Sequence, residues 1–508
     1  MKQSLLFFIK YYFFWIAFFL FFKIFFLLYN YSAISNLSSP DIIGIFTHGS
    51  IMDLSAAGYL SVFPGLIIAL VYLFLPAIAR FIIKYYTLTM LIVVVIMGLG
   101  DAGLFIDWGS RLNNQIILYL QNPGGMYAAM SMTQIVALIF CWVAFTWSWF
   151  WLYKKIVDTK PTNTSLAKWI SIPIMLFLTA TLILPIRGGV NTSPLNHSHV
   201  YFSENLQANQ SAYNYFWNFF YSVTKSGSEK KVLNYMPADE AERIVESSHN
   251  TNENYPVYIQ QKNKQGVNVI FVLLESFSNK IIAQAGGLPN ATPRLNELAQ
   301  EGILFTNIYA TGNRSDKGIC GLIGAYPAVI NGETVLAFPD KMNKLYYFPQ
   351  QFKKHGYDMS FYYGGDVNFY NLKSTLLQAG FSSITSNTDF PNKIASLQKW
   401  GVPDEFLYAR MIEELQHKKQ PFFSMVYTIS SHEPFDVPYQ KINGSDDKAK
   451  YLNSIAYSDS CLGVFIDRLK STGLWENSLV VISSDHSTLL PEHTSIEDPI
   501  TYRIPLLF

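Results

Sequence analysis

Five long apolar runs crowd the first 190 residues, separated by short polar breaks. They cover Leu5–Leu28, Leu60–Ala79, Leu88–Phe105, Met130–Leu152 and Trp169–Ile186. About 20 apolar residues in helical conformation cross a bilayer, so each run predicts one span. The first is too long for a signal-peptide core and lacks a clear small-residue cleavage site. Asp41–Ala57 is less apolar and is expected to be an outer loop or an interfacial helix. Past Ile186 the pattern changes to a polar, Asn-rich stretch reaching about Tyr258, with aromatic helical pieces near Tyr213–Tyr221. From Val267 onward, short apolar runs alternate with helix-period segments. The predicted strands are Val267–Leu274, Ile303–Tyr309, Asp358–Tyr363, Phe422–Ile429 and Leu479–Ser483. The predicted helices are Thr292–Glu301, Phe348–His355, Pro403–His417 and Asp447–Ser471. Such alternation predicts an α/β domain with a largely parallel central sheet covered by helices. Three regions result: a five-helix transmembrane domain at 1–186, a membrane-proximal connector at 187–262, and the α/β domain at 263–508.

The placement of basic residues orients the spans. Lys2 and Lys10 lie at the start of the first, Arg80 and Lys84 between the second and third, and Lys154, Lys155 and Lys160 between the fourth and fifth. All fall on one side, which is then cytoplasmic. An odd number of spans puts everything after Arg187 outside the cytoplasm, as expected of a multi-pass cell-membrane protein with an extracytoplasmic domain. Arg111 and Lys23 run against the trend, and Lys23 is expected to snorkel to the interface. Asp101 and Asp107 are expected to be interfacial. Composition adds little else. Only 14% of the 508 residues are charged, where about a quarter is usual in soluble proteins. The net charge of +1 gives no field for nucleic acid, and three cysteines give no disulfide framework.

The chemistry gathers at strand ends, where open α/β sheets bind ligands. The run Val267–Leu274 stops at Glu275, and a carboxylate there is costly to bury unless a cation or hydrogen-bond donors meet it. Glu275 is thus a candidate metal ligand, although a plain strand-end Glu capping the next helix fits equally. Thr311-Gly-Asn-Arg314-Ser315-Asp-Lys317-Gly318 follows the strand ending near Tyr309. A hydroxyl among glycines, cationic groups and a helix start suits a nucleophile for an anionic substrate, and a polar turn capped by Ser315 is the plainer alternative. Ser430-Ser431-His432-Glu-Pro-Phe435 offers His432 as a phosphate contact or proton donor, or simply as a loop histidine. Val480-Val-Ile-Ser-Ser-Asp485-His486 is a third apolar strand that ends in metal-ligand types.

These motifs in this order resemble the alkaline phosphatase/sulfatase superfamily, and more closely its lipoteichoic acid synthase-like, or phosphoglycerol transferase, branch. Asn268–Ser276, Thr292–Leu298, Ser431–Phe435 and Asp485-His486 match the branch's motifs. The resemblance implies five membrane spans followed by an extracytoplasmic sulfatase-like domain. It implies that Glu275, Asp485 and His486, with a hydroxyl nucleophile, hold one divalent cation. That ion is often manganese in this branch, with zinc, magnesium and calcium left open, and a carboxylate–imidazole set suits manganese or zinc. His432 would contact the substrate phosphate. The implied reaction moves a phospholipid head group, of phosphoglycerol or phosphoethanolamine type, to an acceptor hydroxyl on a glycan or glycerophosphate through a covalent phospho-enzyme.

The chain departs from that pattern in three places. The branch usually carries Thr as nucleophile; here Ser315 is the first choice and Thr311 the second, with Arg314 or Lys317 supplying charge to the phosphate. Asp366, Phe369 and Tyr370 occupy the substrate-pocket segment, but Leu372 stands where an arginine is expected. The chain ends in Arg503–Phe508, which reads as the start of a buried strand and predicts a domain truncated at its C-terminal end. A sulfatase or phosphodiesterase using water as acceptor is the alternative activity, although Ser315 lacks the Cys/Ser-x-Pro-x-Arg signature of sulfatases. A non-catalytic membrane scaffold with a degenerate domain is the other alternative.

Overall fold

The computed structural model describes residues 2–72, 74–117, 132–158, 168–226, 236–249, 266–328, 334–438, 440–492 and 494–508. They fall into two compact units. One comprises residues 1–226 together with 335–346 and 366–382; the other comprises 227–334, 347–365 and 383–508. Lys160 and connector residues 227–235 and 250–262 lie outside the described residues.

Among the described residues, the first unit holds five helices long and apolar enough to cross a membrane. They are α1 (Lys2–Tyr29), α2 (Ser39–Ile67, continued by a π turn to Tyr72), α3 (Pro76–Trp108), α4 (Met132–Ile156) and α5 (Lys168–Ala180, extended by a turn to Arg187). Asp41–Ala57 is neither loop nor interfacial piece but the first half of α2. Ser38 and Asp41 form a reciprocal capping box that starts this helix, satisfying donors that would otherwise be orphaned. Its end is set by Pro76, which disfavours helix in the residue before it and opens α3. Arg80 in the first turns of α3 pairs with Asp158 just past α4 at 2.7 Å, so these two helix ends share one side.

One expectation about charges fails here. Lys23 does not snorkel; it is buried and pairs with Asp53 of α2 at 2.6 Å, while Asn214 donates to the other Asp53 oxygen at 2.9 Å. Asp101 is buried against Arg111 at 2.7 Å. The Arg111 guanidinium also donates to the carbonyls of Gln210, Ser211 and Tyr213 and lies over the Phe26 ring. Each charge is tolerated because the fold sets its partner beside it, a pairing that hydropathy cannot register. Segments 335–346 and 366–382 pack within this same unit. There Asn196 Nδ2 donates to Asn368 O at 2.7 Å, and Asn371 Nδ2 to Leu336 O at 2.8 Å.

The second unit is built on a seven-stranded sheet of order β2–β7–β6–β1–β5–β3–β4. The strands are β1 (Asn268–Leu274), β2 (Leu304–Tyr309), β3 (Asp358–Tyr363), β4 (Ser383–Thr385), β5 (Phe422–Tyr427), β6 (Ser478–Ser484) and β7 (Arg503–Leu507). From β6 to β4 all neighbours are parallel; β7 runs antiparallel between β6 and β2. All five predicted strands form. β4, only three residues long, has too little pattern to be read from sequence. Helices α6 (Asp404–Leu415) and α7 (Asp447–Ser471) cover one face, burying Leu407, Met411, Leu462 and Phe465 against Ile270, Val272 and Leu274. Phe348 and Phe352 cover the other face through Phe271 and Phe423. A sheet covered on both faces explains why β1 is buried at every position, as the continuous apolar run requires.

Candidate active site

β1 lies at the centre of the sheet, between β5 and β6, with Leu273 opposite Tyr427 and Leu274 opposite Ser484. The register therefore brings the residues following β1, β5 and β6 to one edge. Glu275 leaves β1 in a turn whose next residue, Ser276, has φ 56°. That turn is held from both sides. Glu275 N donates to Thr428 Oγ1 at 2.9 Å, Ser431 Oγ donates to Glu275 O at 2.6 Å, and Phe277 N donates to Ser484 Oγ at 2.9 Å.

Among the described residues, Glu275, Asp485 and His486 form a buried group whose ligand atoms all lie within 4.8 Å of one another. His486 Nε2 is 3.4 Å from Glu275 Oε1 and 3.4 Å from Asp485 Oδ2. His486 Nδ1 lies 2.8 Å from the Ser487 carbonyl, which places a proton on Nδ1 and turns Nε2 toward the two acids. Asp485 Oδ1 accepts from Ser276 N at 3.0 Å and from His486 N at 2.8 Å, leaving Oδ2 turned toward the group. Two carboxylates and one imidazole of this arrangement suit a divalent cation.

Charge is displaced as crowding demands. Burial raises the Glu275 carboxyl, but the His486 hydrogen bond and the His486 and His432 charges outweigh it and hold Glu275 below the usual range. Burial and then the Glu275 charge push Asp485 upward. Burial lowers His486, yet Asp485 and Glu275 prevail and raise it.

Ser315 opens a ten-residue helix, Ser315–Gly324, between β2 and β3. Its Oγ is 3.3 Å from His486 Nε2 and 3.4 Å from Glu275 Oε2. Thr311 is exposed and donates instead to the Lys317 carbonyl at 3.2 Å. Arg314, not Ser315, is the residue capping this helix, and its guanidinium lies 3.7 Å from Asp316. The Lys317 stem packs beside Gly312. His432 follows β5; its Nδ1 is 2.8 Å from the Glu433 carbonyl and its ring packs on Trp400. Asp366, Phe369 and Tyr370 belong to the other unit. There the Asp366 carboxylate accepts from Ser193 N at 3.3 Å and Asn368 N at 2.9 Å, so it closes a loop.

Sequence reasoning missed Tyr427, whose phenol contacts both Glu275 and Asp485. It gave no role to Ser276, Thr428, Ser431 or Gly318, although Ser276 and Ser431 lie in the quoted motifs and all four sit at predicted strand or helix ends.

Residues 267–508 match the Sulfatase family model. The chain is similar to the lipoteichoic acid synthase-like protein YvgJ of Bacillus subtilis, with 26% identity over 238 residues, 45% of this chain and 38% of that protein. It is similar to lipoteichoic acid synthase 1 of the same organism, with 26% identity over 248 residues, 45% of this chain and 37% of that one. The chain thus spans under two fifths of these curated relatives. A solved structure of a protein in the alkaline phosphatase superfamily from Vibrio parahaemolyticus is 30% identical, covering 54% of this chain and 68% of its own, with a TM-score of 0.47. The motifs, the family match and the similarity to lipoteichoic acid synthases agree: the chain belongs to the alkaline phosphatase superfamily, as a lipoteichoic acid synthase-like member.

Proposed function

We propose that the chain is a membrane-anchored transferase that moves a phospholipid head group, of phosphoglycerol or phosphoethanolamine type, onto an acceptor hydroxyl of a glycan or glycerophosphate. The observation that carries this reading is the Ser315 hydroxyl, 3.3 Å from His486 Nε2 and 3.4 Å from Glu275 Oε2 at the first turn of a ten-residue helix. A helix N-terminus favours the phosphate anion there. Glu275, Asp485 and His486 would hold one divalent cation, manganese in the first instance, with Ser315 as the fourth ligand. Such an ion lowers the pKa of a bound hydroxyl and withdraws charge from a phosphoryl oxygen.

Ser315 Oγ, its proton released to solvent, attacks the phosphorus of the lipid phosphodiester as an alkoxide. The Oγ–P bond forms as the bond from phosphorus to the diacylglycerol oxygen breaks, and that oxygen takes a proton from His432. The acceptor hydroxyl then attacks the phosphoserine phosphorus and loses its proton to His432, while the Oγ–P bond breaks and Ser315 Oγ leaves as the alkoxide with which the cycle began. Arg314 and Lys317 supply positive charge beside the phosphate. The basic flanks of the spans support an extracytoplasmic site facing the outer leaflet. The similarity to lipoteichoic acid synthases supports a lipid-linked substrate.

The test is to incubate the whole chain with phospholipids labelled in the head group and to map the labelled residue. Phosphoserine at 315 is expected, with label passing to an added polyol acceptor. Turnover with neither Ser315 nor Thr311 labelled would overturn the covalent route. Release of the head group to water alone, with no acceptor product, would favour the hydrolase.

A further inference from the structure

We propose that Tyr427 is a positioning residue of the ion site: its phenol tethers Glu275 and Asp485 from a third strand and sets the spacing at which they take a divalent cation. This rests on the ion-site reading above. Tyr427 ends β5, which neighbours β1; Asp485 follows β6, on the far side of β1. A side chain must therefore reach past the central strand to touch both acids, and a phenol is long enough. Tyr427 Oη contacts Glu275 Oε2 and lies 2.7 Å from Asp485 Oδ2. The ring is buried and stacks on Tyr363 at 5.1 Å and 9°. Fixed in this way, the hydroxyl cannot follow a carboxylate that swings.

The second oxygen of each acid is secured separately. Asp485 Oδ1 takes the Ser276 and His486 backbone N–H groups, and Glu275 Oε1 takes the Ser276 hydroxyl at 2.7 Å. Each carboxylate is thus gripped at one oxygen by the turn around Ser276 and at the other by Tyr427. The phenol has one hydrogen and serves one acid at a time, but its oxygen fixes where both stand. Without it, the outer oxygens are left with the longer contacts at 3.4 Å, Asp485 Oδ2 with His486 Nε2 and Glu275 Oε2 with the Ser315 hydroxyl, and the pair is freer to separate. Partners of this kind behind metal ligands typically change metal affinity by 10–100-fold.

The full chain in detergent micelles, stripped of cations by a chelator, is titrated with Mn²⁺ alone, and free Mn²⁺ is followed by electron paramagnetic resonance. Tyr427→Phe keeps the ring and removes the hydroxyl. Tyr408→Phe is the control, a buried phenol that stacks on Phe465 in another part of the unit. The expected result is about one ion per chain throughout, with affinity about 10–100-fold weaker in Tyr427→Phe and within about twofold of the unaltered chain in Tyr408→Phe. Near-ultraviolet circular dichroism confirms the fold, and Tyr427→Leu replaces Tyr427→Phe if the latter does not fold. Affinity within about twofold in the Tyr427 variant overturns the inference while leaving the ion site intact. Absence of Mn²⁺ binding by the unaltered chain overturns the ion-site reading itself.

Discussion

Gly318 packs against the backbone of Asp485 so closely that a β-carbon on it would overlap the Asp485 carbonyl oxygen. The helix carrying Ser315 thereby rests directly on the strand end carrying the metal-ligand types. A methyl group at 318 has to push the helix or the strand end aside, because the atom it meets is backbone. Gly318→Ala is expected to cost about 1–3 kcal/mol, as overpacking does, and to move Ser315 away from His486. A thermal melt and a head-group transfer assay check this. Unchanged melting and turnover together would show that the two segments do not need this contact.

Ser315 and Thr311 are separated by their hydrogen bonds, since one hydroxyl faces Glu275 and His486 and the other a backbone carbonyl. Ser315→Ala is expected to lower turnover by on the order of 10⁴-fold or more, as loss of a covalent nucleophile does. Thr311→Ala should stay within about tenfold, a ratio equivalent to about 1.4 kcal/mol. Ser315→Thr should retain part of the activity. The reverse ranking of the two alanine variants would move the nucleophile to Thr311.

Removing Glu275 leaves Asp485 and His486 too few ligands for a divalent ion. Metal analysis of the purified chain is expected to find about one ion, reduced severalfold in Glu275→Ala and in Asp485→Ala. Full occupancy in both variants would mean that the ion sits elsewhere.

Lys23 and Asp53 form an ion pair inside the membrane unit. Asp53→Ala leaves an ammonium buried without its partner, at a cost of about 3–5 kcal/mol. Lys23→Met combined with Asp53→Leu removes both charges and is expected to recover most of that loss. Melting temperatures in detergent read both effects. If the single and double variants melt alike, the pair does not stabilise the helices.

Asp459 gives a pH signature away from the ion site. It accepts from the backbone N–H groups of Arg294 and Leu295 at 2.9 and 2.8 Å, and burial outweighs these bonds to push its carboxyl up to about 6. Its ordinary value in an unfolded chain is about 3.9. A raised value means that the folded state holds the proton more tightly. The stability this lends is full below about pH 4 and is lost as pH rises through about 6. Asp459→Asn should flatten the melting temperature across that window, and an unaltered slope would assign the pH dependence to other groups.

The local pattern alone determined a good deal. Apolar runs of bilayer length identified five spans, because a helix in lipid must satisfy its backbone internally and present apolar side chains. Apolar runs leading to Glu275 and to Asp485-His486 identified buried strands and the ends where ligands gather, because open α/β sheets bind ligands beyond the carboxyl ends of their strands. Tertiary structure decided the rest. Strand order β6–β1–β5 makes Tyr427 a neighbour of two acids 152 and 58 residues away along the chain. Lys23 and Arg111 looked misplaced in sequence until Asp53 and Asp101 were found beside them. Gly318 resembled an ordinary helix glycine until the carbonyl of Asp485 was found against it. In each case the deciding interaction is a short-range contact that the local sequence pattern does not reveal. Hydrophobic periodicity reports which face of an element is buried, and it carries no information about which partner is buried against it.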